Sequence, residues 1–146
     1  MNIEIKVPIN RPAKEIFAYI SNFSNHKDMI AANVDSKQTS EGPVKVGTTM
    51  RNIAKFMGMK MEEHFVVTEY EPNKILAKKS APGSTFVTGD KIVLEEKDGG
   101  TMLNLNVYAE LKGFMKLFDG ILEKQVRNSL VKDFYRLKAN FELGKI

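Results

Sequence analysis

Three polar side chains fall where strand alternation calls for oil: Asn52, Glu63 and Asp90. Their placement follows from two turns. Asp98-Gly99 suits the positive φ angles of a two-residue hairpin, which pairs Leu94 with Leu103, Ile92 with Leu105, Asp90 with Val107, Thr88 with Ala109 and Phe86 with Leu111. Directly paired residues share a face, so Asp90 stands on an apolar surface while Lys91, Glu95, Asn104, Asn106 and Glu110 take the other side. Met57-Gly58 reads as a second even turn, pairing Phe56 with Met59, Ala54 with Met61, Asn52 with Glu63, Met50 with Phe65 and Thr48 with Val67. Its opposite face, Arg51, Lys55, Lys60, Glu62, His64 and Thr68, suits solvent. A carboxylate on an apolar face needs a partner, water or a raised pKa. In a catalyst, Glu63 or Asp90 would be a general acid/base and Asn52 would polarise a carbonyl. In a binding protein the same sparse groups would orient a ligand. A bulge at Gly89 would instead release Asp90 to solvent.

Other chemistries have no residues to carry them. The chain has no cysteine, which removes disulfides, thiolate ligands and a cysteine nucleophile, and only two histidines, His26 and His64, so no metal site is expected. No cofactor motif is present and no cofactor is expected. The 22 basic and 18 acidic residues give a net charge of +4 that is spread along the chain, without the clustered Lys/Arg and exposed aromatics of a nucleic-acid surface. Weak, transient attraction to an anionic membrane is the most this charge implies. No run approaches the ~18 apolar residues of a membrane span and the start has no apolar signal core, so a cytoplasmic location is expected. With 146 residues, 42% hydrophobic, and no linker or repeat, the expectation is one domain over residues 1–146. Nothing in the sequence sets an oligomeric state.

The elements that position these residues are legible in order. Asn2 to Ile9 alternates as a half-buried strand, with Pro8 pointing to a sheet edge. Pro12 fits the first turn of a short helix carrying Ile16, Phe17 and Ile20 on one face, and a second short helix is expected from about Phe23 to Ala32. About six strands follow from Val34. For the strand Lys74 to Ser80 the flanking turns predict opposite orientations if both are even, so either Leu76 and Lys78 or Ile75, Ala77 and Lys79 point inward. Gly113 to about Leu143 reads as one long amphipathic helix spanning ~45 Å. Its first turns, Phe114 to Leu122, are apolar on most sides, as either core packing or the wall or entrance of a cavity requires.

This order, with the segments VPINRPAKEIFAYISNFSNHKDMI, VKVGTTM, VVTEYEPNKILA, DGGTMLNL and AELKGFMKLF, resembles the START-like superfamily, also called helix-grip or birch-pollen-allergen-like, in its polyketide cyclase/dehydratase-related branch. The resemblance implies an α+β fold in which a seven-stranded antiparallel sheet wraps a long C-terminal helix, two short helices follow the first strand, and a cavity opens between sheet and helix. It implies a partner that is a small hydrophobic molecule such as a lipid, isoprenoid quinone or polyketide-like compound. The alternative it leaves is a cyclase or dehydratase using the carboxylates above. Phe23, Met50, Asn52, Phe56, Met61, Glu63, Phe65, Phe86, Asp90, Ile92, Leu105, Phe118 and Leu122 are the expected ligand-binding residues. Methionine suits such a wall because its flexible thioether fits irregular shapes.

Overall fold

A computed structural model describes residues 1–146. In chain order, strand β1 (Asn2–Ile9) leads into helix α1 (Ala13–Ile20), a short 3₁₀ turn (Phe23–Asn25) and helix α2 (His26–Met29). Strands β2 (Asn33–Gln38), β3 (Thr49–Phe56), β4 (Met59–Glu71), β5 (Ile75–Ser80), β6 (Val87–Lys97) and β7 (Gly100–Glu110) follow, then a 3₁₀ segment (Gly113–Phe118) and helix α3 (Asp119–Glu142). All seven strands form one antiparallel sheet in the order β1-β7-β6-β5-β4-β3-β2. Only the β1–β7 pairing joins strands distant in sequence, so hairpin chemistry sets most of the register. Pro8 lies on edge strand β1, where its missing N–H breaks no interior ladder.

Both hairpin turns have the expected backbone. Met57 and Gly58 take φ of 51° and 78°, and Asp98 and Gly99 take 52° and 79°. Both pairs are therefore in the left-handed region that a type I′ turn requires. The resulting registers place Asn52 opposite Glu63, Met50 opposite Phe65, Asp90 opposite Val107 and Ile92 opposite Leu105. The β6–β7 ladder runs without interruption past Gly89, so no bulge turns Asp90 outward. It ends at Val87 and Glu110, one step short of the expected Phe86–Leu111 pair. Ser80 closes this end by accepting from the Thr88 N–H at 3.2 Å, and Phe86 remains in the preceding loop.

The ambiguous strand resolves through a bulge. The β4–β5 loop is odd, with Glu71 paired to Ile75, and the register shifts between Val67 and Glu69. One extra residue exchanges the faces of everything beyond it. Leu76 and Lys78 therefore lie inward, Lys78 opposite Asp90, and both are buried.

The buried core occupies one end of the space between sheet and helices. Ile16, Phe17 and Ile20 of α1, Phe23 of the 3₁₀ turn, and Phe134, Leu137 and Phe141 of α3 pack against Ile3, Val7, Leu103 and their neighbours. The region expected as a helix to Ala32 is a 3₁₀ turn and one α-turn, because Asn22 caps the N–H of Ser24 and Ile30 is already extended. The chain from Gly113 also departs from a single α-helix. Gly113 has φ of +64°, no capping side chain is present at Lys112 or Phe118, and the α-helix begins only at Asp119.

Polar contacts fix the distal half of α3. Asp133, almost fully buried, bonds Arg136 at 3.1 Å and accepts from the Ala31 N–H at 3.3 Å, while Arg136 donates to the Met29 carbonyl at 3.1 Å. Burial raises the Asp133 pKa, opposed by the Ala31 N–H and by Arg136. The proximal half is tied nearer the surface, by Arg127 donating to the Glu4 carbonyl at 3.3 Å and by the Met1 amino group 3.6 Å from Asp119. There Leu122, Val126 and Leu130 border an open space beneath the sheet, with Val126 and Leu130 also packed against the edge of the core.

Candidate functional site

That space is a cavity of about 360 Å³ between the concave face of the sheet and α3, lined by 30 residues of which 20 are hydrophobic. Its walls come from β3 to β7, α2 and the start of β2, Met1, the segment after β7, and α3 from Leu122 to Phe134. Two larger hollows, of about 770 and 740 Å³, are lined mostly by polar residues, among them Glu4, Glu69 and Lys91 in one and Glu62, His64 and Ser84 in the other. An apolar enclosure with few convergent polar groups is the form that small-molecule sites take. The 360 Å³ cavity has that form and the larger hollows do not.

Strand parity brings the polar groups into a band across the cavity floor. Asp90 on β6, Lys78 on β5, Glu63 on β4 and Asn52 on β3 all border the cavity. Lys78 Nζ is in direct contact with Asp90 Oδ2, and it stands 5.4 Å from the centre of the Phe65 ring. Burial raises the Glu63 pKa, and the Lys78 charge partly lowers it again. Asn52 is buried and its Oδ1 has no hydrogen-bond partner.

His26 adds a fifth group at the cavity edge. Its Nε2 lies 2.7 Å from the Ile20 carbonyl. A carbonyl only accepts, so Nε2 carries the proton and Nδ1 is the lone-pair nitrogen. Burial, with Lys78 next, lowers the His26 pKa to about 4, against the Ile20 bond and Asp90, which raise it. The ring is therefore neutral at neutral pH.

Of the expected ligand-binding residues, Asn52, Phe56, Met61, Glu63, Phe65, Phe86, Asp90, Ile92, Leu105 and Leu122 border the cavity. Three do not. Phe23 is sealed in the core beneath α1, with its ring 5.1 Å from His26, and Met50 is fully buried two pairs further along the sheet than Asn52. Phe118 ends the exposed 3₁₀ segment and stacks edge-on with Phe114 at 6.5 Å, outside the wall. His64 is on the surface, 3.4 Å from Glu62. Sequence reasoning missed His26, for which a lone histidine in a short helix gives no signal. It also missed the contribution of Leu111, Met115, Val126 and Leu130.

Phe56 and Phe86 belong both to the wall and to the surface, which marks the mouth of the cavity. Met57 and Met59, beside Phe56 in sequence, and Phe114, Leu117 and Ile121, which flank the wall residues Met115 and Leu122, are exposed. Of the proximal apolar turns, Met115 and Leu122 line the cavity, while Phe114, Leu117, Phe118 and Ile121 stay outside both core and wall. The latter rim the entrance.

Comparison with known proteins agrees with this geometry. The family model described as "Polyketide cyclase / dehydrase and lipid transport" matches residues 1–142. A solved structure from Thermus thermophilus superimposes with a TM-score of 0.83 at 15% identity, covering 100% of both chains. The START superfamily protein from Mycobacterium smegmatis gives 0.65 at 14% identity, over 90% of this chain and 97% of that one. The di-domain ARO/CYC BexL from the BE-7585A biosynthetic pathway gives 0.71 at 15% identity, over 98% of this chain and 47% of its own. At these identities the likeness is one of fold, the seven-stranded helix-grip architecture. No curated protein matches the chain in sequence. No helix is long and apolar enough to cross a membrane.

Proposed function

The chain belongs to the polyketide cyclase/dehydrase and lipid transport family, and from that premise we propose that it acts as one cytoplasmic domain that binds or carries a small hydrophobic molecule in the cavity between the sheet and α3. The ligand class is a lipid, an isoprenoid quinone or a polyketide-like compound. The observation that carries this reading is an apolar enclosure of about 360 Å³ whose few polar groups converge on one band. Affinity comes mainly from apolar burial, at ~25 cal/mol per Å² before ordering costs. The exposed apolar rim from Phe114 to Ile121 serves as the entrance.

The direct test combines native mass spectrometry of freshly purified protein with organic extraction of whatever is bound. A reproducible stoichiometric apolar molecule supports the reading. The companion variant is Ala54→Trp, since Ala54 borders the cavity in line with Asn52 and Phe56. Filling the space with an indole is expected to weaken ligand binding at least ~tenfold, or ~1.4 kcal/mol, with little loss of thermal stability. Unchanged binding in a folded Ala54→Trp protein would place the ligand elsewhere.

A second reading, a cyclase or dehydratase, draws on the raised pKa of Glu63. A carboxyl whose burial strengthens its hold on a proton can give that proton to a developing alkoxide and take one back. Here Glu63→Gln abolishes turnover of a polyketide-like substrate while ligand binding persists, and wild-type turnover in that variant removes the acid/base role.

A further inference from the structure

The polar band is not electrically balanced. Lys78 is the one cationic side chain on the cavity floor, and Asp90 already neutralises it by direct contact. Lys55 and Glu110, the other basic and acidic side chains at the wall besides Glu63, are both exposed to solvent. Glu63 remains as the carboxylate without a counter-ion of its own: burial and the more distant Lys78 charge act on it, and no hydrogen bond does. Directly across the β3–β4 ladder stands Asn52, 5% exposed, with its Oδ1 unpartnered. Half-buried Glu63, with no ion pair and no hydrogen bond, is therefore the acceptor this part of the wall leaves open to a bound molecule, and Asn52 packs beside it.

Resting on the reading that the cavity holds an apolar ligand, we propose that the Asn52–Glu63 pair is its head-group subsite. It takes a molecule whose apolar body ends in a hydrogen-bond donor without negative charge, a hydroxyl or an ammonium, in preference to a carboxylate of the same length. A hydroxyl or ammonium supplies the donor that the Glu63 carboxylate lacks. A carboxylate supplies none, meets Glu63 as a like charge, and finds Lys78 already engaged by Asp90. The Phe56 and Met61 side chains beside the pair cover the adjoining alkyl segment.

The test is isothermal titration at neutral pH of decanol, decylamine and decanoate into the full chain and into Glu63→Gln, with circular dichroism to confirm folding. In the wild type, decanol and decylamine are expected to bind at least ~tenfold more tightly than decanoate, ~1.4 kcal/mol. In Glu63→Gln the gap between decylamine and decanoate narrows to within ~threefold, because the isosteric amide removes the charge and keeps the shape. Decanoate binding as tightly as decanol in the wild type overturns the proposal, as does an unchanged gap in the variant. If none of the three binds, the carrier reading itself fails and takes this inference with it. If all three bind equally, and Ala54→Trp weakens all three, the carrier reading stands and the subsite assignment falls.

Discussion

Lys78→Met is expected to lower the unfolding free energy by about 3 kcal/mol, and adding Asp90→Leu to the same chain should restore most of that loss. The two residues are direct partners on β5 and β6, with side-chain exposures of 9% and 22%. Removing one member of a buried pair strands the other charge in a poorly solvated place, at a cost of ~3–5 kcal/mol, whereas replacing both with apolar residues is often neutral or stabilising. The residual exposure of Asp90 puts the effect at the lower end of that range. Urea denaturation of the two single variants and the double variant gives the answer as a double-mutant cycle. Additive losses would mean that the contact contributes no coupling, and that the charges are solvated independently at the cavity edge.

The second large effect is acid sensitivity conferred by His26. Its pKa falls from 6.5 to about 4 on folding. The native state thus resists a proton that the unfolded chain accepts. The associated stability is present in full above pH 6.5 and is lost as the pH falls towards 4, in total ~3 kcal/mol. Glu63 and Asp133 act in the opposite direction, because burial raises their pKa values, so their carboxylates weaken the fold most at higher pH. Comparison with His26→Gln, which keeps a donor for the Ile20 carbonyl, isolates the histidine. The wild type should lose stability relative to that variant between pH 6.5 and 4, and parallel pH profiles would remove His26 from the account.

Much of the cavity floor was legible because two turns carry their own chemistry. Met57-Gly58 and Asp98-Gly99 suit left-handed backbone, and once their loop lengths are fixed, parity dictates the face of Asn52, Glu63 and Asp90. The orientation of Lys78 was open for a physical reason. It depends on one bulge residue near Thr68, whose presence changes a register without leaving a pattern in side-chain type. Phe23 and Met50 show the limit of face assignment. Both lie on the inward side, but depth along the sheet, which decides between core and cavity, is set by where α1 and the distal half of α3 press down. Phe118 failed differently, since an apolar helical stripe predicts burial and the 3₁₀ geometry after Gly113 leaves these side chains at the rim.

The unequal anchoring of α3 separates two kinds of stability in this molecule. From Asp133 to Phe141 the helix is bolted into the core, so releasing it approaches the free energy of global unfolding. From Asp119 to Leu130 it borders the cavity, with Leu122 buried and Val126 and Leu130 against the edge of the core. Its other ties are at the surface, from Arg127 to the Glu4 carbonyl and from Asp119 to the Met1 amino group, so this end is expected to open sub-globally at lower cost. Opening of the proximal end is therefore expected to respond to substitution differently from the melting temperature. Changes around Phe134 alter how long the protein survives, and changes around Leu122 alter how often the cavity is open.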